Sequence, residues 1–338
     1  MTAADPKRML TYVSKFYGLR KTKKPMKRWR WKIAALTLAV LFVPVLVKQL
    51  LPSEPRQLER VALADTRYLE IEFQNRSQDL ALAGLLFVPE GDGPFPAAVV
   101  IHGSGTSRRD NGWYLTLTKH LQDSGIVVLL PDKRGSEKSE GDWRTSSFED
   151  LATDTLAAIE HLRAQQSVPL SGIGVIGMSQ GGWIAPVVAS QEVDLAFLVS
   201  MVGSVVTPRE QLLYEENYNL RQLGFLPGIS NVLAYAGYAN VRYLAQPQLY
   251  DLIVDYDPLP YWQDVSIDSL VLFGADDTNV PSTESAKRLV NLDNPHIRVE
   301  VYRGSGHALE SPSEQGDSII RKDALNEISD FIHGVDSK

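Results

Sequence analysis

The chain has 338 residues, 44% hydrophobic and 22% charged, enough for one large domain or two modest ones. It contains no cysteine, which excludes disulfides, thiolate metal sites, a cysteine nucleophile and a lipid-modified N-terminal cysteine. The net charge of −7 is unevenly spread: residues 1–32 hold eleven Lys or Arg against the single acid Asp5, so this head carries about +10 and the remainder about −17. An acidic body argues against nucleic acid as the main partner.

The basic head, residues 1–32, leads into "IAALTLAVLFVPVLV", Ile33 to Val47, where Thr37 is the one polar residue. Fifteen helical residues span about 22 Å, short of the roughly 30 Å hydrocarbon core. Trp31, Leu50 and Leu51, with Lys32 and Lys48 snorkelling, extend the helix towards that length. The pattern predicts an uncleaved transmembrane anchor over 33–51, single-pass, with a cytoplasmic N-terminus and the remainder on the outer side. A cleaved signal peptide fits less well, because the basic region is long and no A-x-A-like site follows. Residues 52–66 then read as a Pro- and charge-containing linker.

From residue 67 onward the periodicity alternates between two and 3.6. "YLEIEF" and "LALAGLLFVP" read as two strands without a helix between them, an antiparallel edge. "AAVVIHG" and "IVVLLPD" are short apolar runs of the kind found in buried parallel strands, with the helical "YLTLTKHLQDSG" between them. Residues 148–165 form an amphipathic helix with acids in its first turn. "IGVIG" is a strand, "GGWIAPVVAS" a helix, "LAFLVSMVG" and "SLVLFG" strands, followed by a helix over 283–291, the strand "IRVEVYR" and a closing helix near 318–333. Strands alternating with helices imply a mainly parallel sheet covered on both faces. Residues 204–262 interrupt the alternation; they hold eight of the thirteen tyrosines and read as a cap inserted between two strands, or as a packed helical insertion without substrate contact.

Between "IGVIG" and "GGWIAPVVAS" stands Ser179, in "GMSQG". A sharp strand-to-helix turn strains the serine backbone, and glycines at 177 and 181 remove the side chains that would clash across it. A serine hydroxyl needs a base. Of six histidines, His307 alone lies in a short Gly-rich loop after the last predicted strand, "GSGHALE". His120, His161 and His333 fall on helices, His296 precedes a strand, and His102 opens a loop that it more simply holds in place. The base needs an acid to orient it, and "LFGADDTNVP" ends a strand with Asp276 and Asp277. In "SRRDNG", Arg108, Arg109 and Asp110 line the mouth of the site or form a solvated ion pair, and Asp132, Lys133 and Arg134 read as a structural turn.

With these motifs in order, the chain resembles the α/β-hydrolase family over roughly residues 68–333, in its serine esterase/aminopeptidase-like branch. "GMSQG" is similar to the nucleophile elbow, "FGADDTNVP" to the family's G-x-x-D-x-x-V-P, "GSGHALE" to its histidine loop, "VVIHGSG" to its oxyanion loop and "LPDKRGSEKS" to its D-x-R-G-x-x-x-S stretch. The resemblance implies an eight-stranded, mostly parallel sheet with its second strand antiparallel, helices on both faces and a helical cap after the sixth strand. It picks Asp277 over Asp276 and implies Ser179 as nucleophile, His307 as base and Asp277 as its orienting acid. The backbone N–H groups of Ser104 and Gln180 would form the oxyanion hole. No cofactor or metal is implied. The substrate would be a small-molecule ester, with amide, peptide or thioester as alternatives on the same triad, and a catalytically inactive binding module as the reading from another class. The loop is "HGSG" rather than "HGGG", so that lipase and esterase subgroup is unsupported, and a serine nucleophile disfavours dehalogenases and epoxide hydrolases. The lack of a preceding propeller-sized region sets a prolyl-oligopeptidase architecture aside.

Overall fold

The computed structural model describes residues 56–192 and 194–337, together with residues 32, 33, 35–37, 39, 43 and 47. Eight strands form one sheet: β1 (Leu69–Asn75), β2 (Leu80–Phe87), β3 (Phe95–Ile101), β4 (Val127–Pro131), β5 (Leu170–Met178), β6 (Leu198–Met201), β7 (Ser269–Gly274) and β8 (Ile297–Tyr302). Their spatial order is β1-β2-β4-β3-β5-β6-β7-β8. β2 runs antiparallel to both neighbours, and all later pairings are parallel.

Alternation along each central strand divides the core in two. Ala97, Val99, Ile101, Val175, Val271 and Phe273 face one side; Ala98, Val100, Ile176, Val199, Leu270 and Leu272 face the other, all at most 6% exposed. α1 (Gly112–Asp123) and α9 (Lys322–Asp336) cover the second side through Leu115, Leu117, Leu121, Ala324, Ile328 and Ile332. α2 (Phe148–Ala164), α3 (Gly181–Gln191) and α8 (Ser282–Asn291) cover the first through Leu151, Ile159, Ile184, Val188 and Leu289. Each such Val, Leu, Ile or Phe side chain taken from water contributes about 1.5–3 kcal/mol, which is why strands buried on both faces read as nearly unbroken apolar runs. α2 begins where it does because Ser147 and Asp150 close a capping box: the Ser147 hydroxyl accepts from the Asp150 N–H, and the Asp150 carboxylate accepts from the Ser147 N–H.

Between β6 and β7 lie four helices, α4 (Pro208–Gln222), α5 (Pro227–Asn240), α6 (Pro247–Ile253) and α7 (Leu259–Asp264), with a π-turn over Val241–Ala245. Tyr256 and Tyr261 stack on each other, and Tyr256 packs edge-on against Phe148. These insertion tyrosines are therefore packing residues, whereas Tyr235 and Tyr243 are exposed.

Residues 56–66 lie against the domain. Glu59 exchanges backbone hydrogen bonds with Asp317 and Ile319, and Leu58, Val61 and Leu63 pack on the second core. The expected single-pass anchor over 33–51, and the outer-side location drawn from it, are corrected. Among the described residues no helix is long and apolar enough to cross a membrane. The physical reason lies in the segment itself. Its uncharged run is fifteen residues, about a turn and a half of helix short of a hydrocarbon core. The remaining positions of that segment, and residues 1–31 of the basic head, lie outside the described residues.

Candidate active site

Parallel strands put their carboxyl ends on one edge, and loops leaving that edge converge there. Ser104 follows β3, Lys133 follows β4, Ser179 follows β5, Asp277 follows β7 and His307 follows β8.

Ser179 has φ +53°, a left-handed conformation that a side chain disfavours by about 1–2 kcal/mol. The turn is held by the Ser179 N–H donating to the Met201 carbonyl at 2.9 Å, with Met178 fully buried beneath. The glycines beside it answer to sterics: a Cβ on Gly177 would stand 2.3 Å from the Gly181 carbonyl oxygen, and one on Gly181 2.2 Å from the Ile101 carbonyl oxygen.

The turn brings Ser179 Oγ to 2.9 Å from His307 Nε2, and His307 Nδ1 lies 2.8 Å from Asp277 Oδ2. The carboxylate accepts, so Nδ1 carries the imidazole proton and Nε2 is left to accept from the serine. The other Asp277 oxygen accepts the backbone N–H groups of Asn279 and Val280 at 2.8 and 2.9 Å. Asp277 is 3% exposed, whereas Asp276 faces solvent. The His307 loop is fixed from several directions. Trp113 Nε1 donates to the Ala308 carbonyl, the Gly306 N–H donates to Glu310, and Arg321 reaches both Ser305 Oγ and the Arg303 carbonyl. Tyr214, on α4, donates to the Asp277 backbone carbonyl at 2.7 Å, tying the helical insertion to this loop.

The backbone N–H groups of Gln180 and Ser104 make no hydrogen bond to backbone or side chain among the described residues, so both remain free to donate to a third party. Gly103 lies close against Ser179 and Tyr114, and its N–H donates to the Tyr114 hydroxyl at 2.8 Å. Burial pushes that phenol up to about 12.

The other histidines stand apart from Ser179. His120, His161 and His333 sit on α1, α2 and α9, and His296 stands by Asp268 at the start of β8. His102 holds its loop: Nε2 donates to the Pro131 carbonyl at 2.6 Å and the ring packs on Tyr114. Its Nδ1 is buried without a partner among the described residues, and burial lowers its pKa to about 4 from an ordinary 6.5. The folded state therefore favours neutral His102. Its contribution is complete above the unfolded value and is lost as pH falls from about 6.5 through 4, amounting to about 3 kcal/mol. Urea unfolding at pH 7.5 and 4.5 is expected to show this slope in the wild type and a shallower one in His102→Gln; equal slopes would refute it.

Arg108 pairs with Asp110 at the surface, while Arg109 grips Asp132 at 2.9 and 2.7 Å. Arg134 ties Asp154, Gln78 and Ser146 together away from the serine. A cavity of about 40 Å³ behind His102 and Lys133 holds a few waters at most, too little for a substrate. Trp113, Tyr114 and Tyr214 were not singled out from the sequence. The contacts of Trp113 and Tyr214 run between segments far apart in the chain, and no local spacing announces any of the three.

The model of the prolyl oligopeptidase family matches residues 113–326, a span that includes Ser179, Asp277 and His307. The chain is 25% identical over 243 residues to esterase EstD of Thermotoga maritima, covering 68% of this chain and 58% of that protein, so it spans less than two thirds of that relative. The structure of the α/β hydrolase GrgF from Penicillium sp. sh18 matches with a TM-score of 0.60 at 19% identity, over 80% of this chain and 100% of that one. The Pyrococcus furiosus esterase Pf2001 matches with a TM-score of 0.59 at 19% identity, over 84% and 99%. At these identities the structural likeness speaks for the fold alone, an α/β-hydrolase fold.

Proposed function

The chain belongs to the prolyl oligopeptidase family; from that premise we propose that it is a serine hydrolase that cleaves a carboxylic ester by a Ser-His-Asp acyl-enzyme route. The family match covers residues 113–326 and does not bear on the propeller architecture set aside from the sequence.

The observation that carries the reading is the unbroken hydrogen-bonded chain from Asp277 through His307 to Ser179, at 2.8 and 2.9 Å. His307 Nε2 takes the serine proton as Oγ attacks the substrate carbonyl carbon. The carbonyl π pair moves to oxygen, and the resulting anion accepts from the N–H groups of Gln180 and Ser104, each worth about 3–4 kcal/mol at the transition state. Asp277 holds the tautomer and stabilises the imidazolium. The imidazolium then protonates the leaving alkoxide, leaving an acyl-serine that water, activated by the same histidine, hydrolyses. The insertion over 204–262 serves as a cap on this site, a role supported by the Tyr214 bond to the Asp277 carbonyl.

Amide cleavage is the second reading, and one feature beyond the family match favours it. Glu215 on α4 is half-buried, and burial, with Glu216 beside it, pushes its carboxyl up. It lies within electrostatic reach of His307 and Asp277, where a carboxylate would hold a substrate ammonium. A panel of short- and long-chain acyl esters, acyl thioesters and aminoacyl amides separates the two. Turnover of uncharged acyl esters well above aminoacyl amides supports the ester reading, and the reverse order overturns it.

A further inference from the structure

Lys133, two residues past the end of β4, is 7% exposed. Its ammonium donates to the Gly103 carbonyl at 2.8 Å and to Gln180 Oε1 at 2.7 Å, and it lies 5.1 Å from the centre of a Trp143 ring. Among the described residues no carboxylate pairs with it. The neighbouring Asp132 is taken by Arg109 and by the Lys138 N–H. Burial pushes the ammonium down to about 7. A buried cation without a counter-ion opposes folding, and an apolar side chain of like size would serve packing better. The two acceptors indicate what it is for.

The Gly103 carbonyl belongs to the same peptide group as the Ser104 N–H. A trans peptide is planar, with its C=O and N–H pointing in opposite directions, so anchoring the carbonyl aims the N–H. Donation to that carbonyl also draws electron density from the amide and strengthens its N–H as a donor. The other acceptor is the side chain of Gln180, whose own N–H is the second proposed donor. One ammonium thus ties together the two residues that face the same developing charge, and the Gly103 N–H is held separately by Tyr114.

We propose that Lys133 is a positioning residue for the oxyanion hole, fixing the Ser104 and Gln180 N–H groups relative to each other and setting a positive charge behind the anion they receive. This rests on the reading of Ser179 as nucleophile with those two donors. The interaction strengthens as charge builds on the substrate oxygen, so it acts on turnover more than on substrate binding.

The test compares the full-length wild type with Lys133→Met and Gln180→Met, the latter keeping the backbone N–H but removing one acceptor. Five quantities are read: the rate of Ser179 labelling by a fluorophosphonate, the affinity for phenylboronic acid (which forms a tetrahedral anion on a serine), kcat and KM for the best ester of the panel, and Tm. Lys133→Met is expected to slow labelling and kcat by about 10- to 100-fold and to weaken boronate binding in proportion. KM should stay within about threefold, and Tm at or above that of the wild type. Gln180→Met is expected to fall between the two. Unchanged labelling, kcat and boronate affinity in Lys133→Met overturn the proposal while leaving the nucleophile assignment standing, because the wild type still labels at Ser179. Parallel losses of Tm, kcat and substrate binding assign Lys133 a merely structural role and overturn it too. If Lys133→Met does not fold, Gln180→Met decides, and wild-type behaviour there overturns the proposal. A wild type that labels at a residue other than Ser179 overturns both readings.

Discussion

Ser179→Ala is expected to lower kcat by about a millionfold, with KM changed little. The alanine removes the atom that bonds to the substrate while leaving the Gln180 and Ser104 donors in place. What remains, about 10³–10⁴ over the uncatalysed reaction, measures those donors and substrate positioning alone. The backbone at 179 keeps its positive φ, and alanine meets the same Cβ constraints as serine, so the fold should be retained. Steady-state kinetics with the best ester of the panel, alongside a thermal melt, checks both halves. A variant that folds and retains more than about a thousandth of wild-type kcat would remove Ser179 from the mechanism.

Asp277→Asn is expected to cost about 10⁴ in kcat. Two bonds that Asp277 Oδ1 accepts from Asn279 and Val280 orient the side chain and leave Oδ2 for His307 Nδ1. An asparagine oxygen satisfies those backbone donors, which turns its NH₂ towards the imidazole. The ring then places its proton on Nε2, the atom that must accept from Ser179. Asp276→Asn is the matched control. That side chain faces solvent, and its substitution is expected to leave kcat within about twofold, since surface changes away from such features have small effects. Equal losses in the two variants would contradict the assignment of Asp277.

The contrast between neighbouring aspartates shows how the sequence pointed to the candidate site. Asp276 and Asp277 are indistinguishable by residue type, and only the register of "FGADDTNVP" separates them. The fold explains that register: the turn after β7 buries the second aspartate under the Asn279 and Val280 N–H groups and turns the first outward. Ser179 was legible because its requirements are local, an apolar strand before it and glycines where a Cβ would strike the Gly181 and Ile101 carbonyls. The sheet was legible for the same reason, since strands buried on both faces have little freedom in composition. Lys133 was not. As part of "LPDKRGSEKS" it reads as a turn residue, and its partners lie 30 and 47 positions away in the chain. Trp113 and Tyr214 escape for that reason too. The segment at 33–51 failed in the opposite sense. Apolar composition suggested a span, but extending fifteen uncharged residues to membrane length required a helix that the described residues do not provide.

Mass spectrometry of the fluorophosphonate-treated protein tests the central claim most directly. An accessible serine activated by an imidazole displaces fluoride and keeps the phosphonyl group, whereas an ordinary serine at a tight turn does not react. One adduct per chain is expected, on the peptide that contains "VIGMSQGGW" and localised by fragmentation to Ser179, with none in Ser179→Ala. An adduct on any other residue, or labelling that persists in the alanine variant, would contradict it.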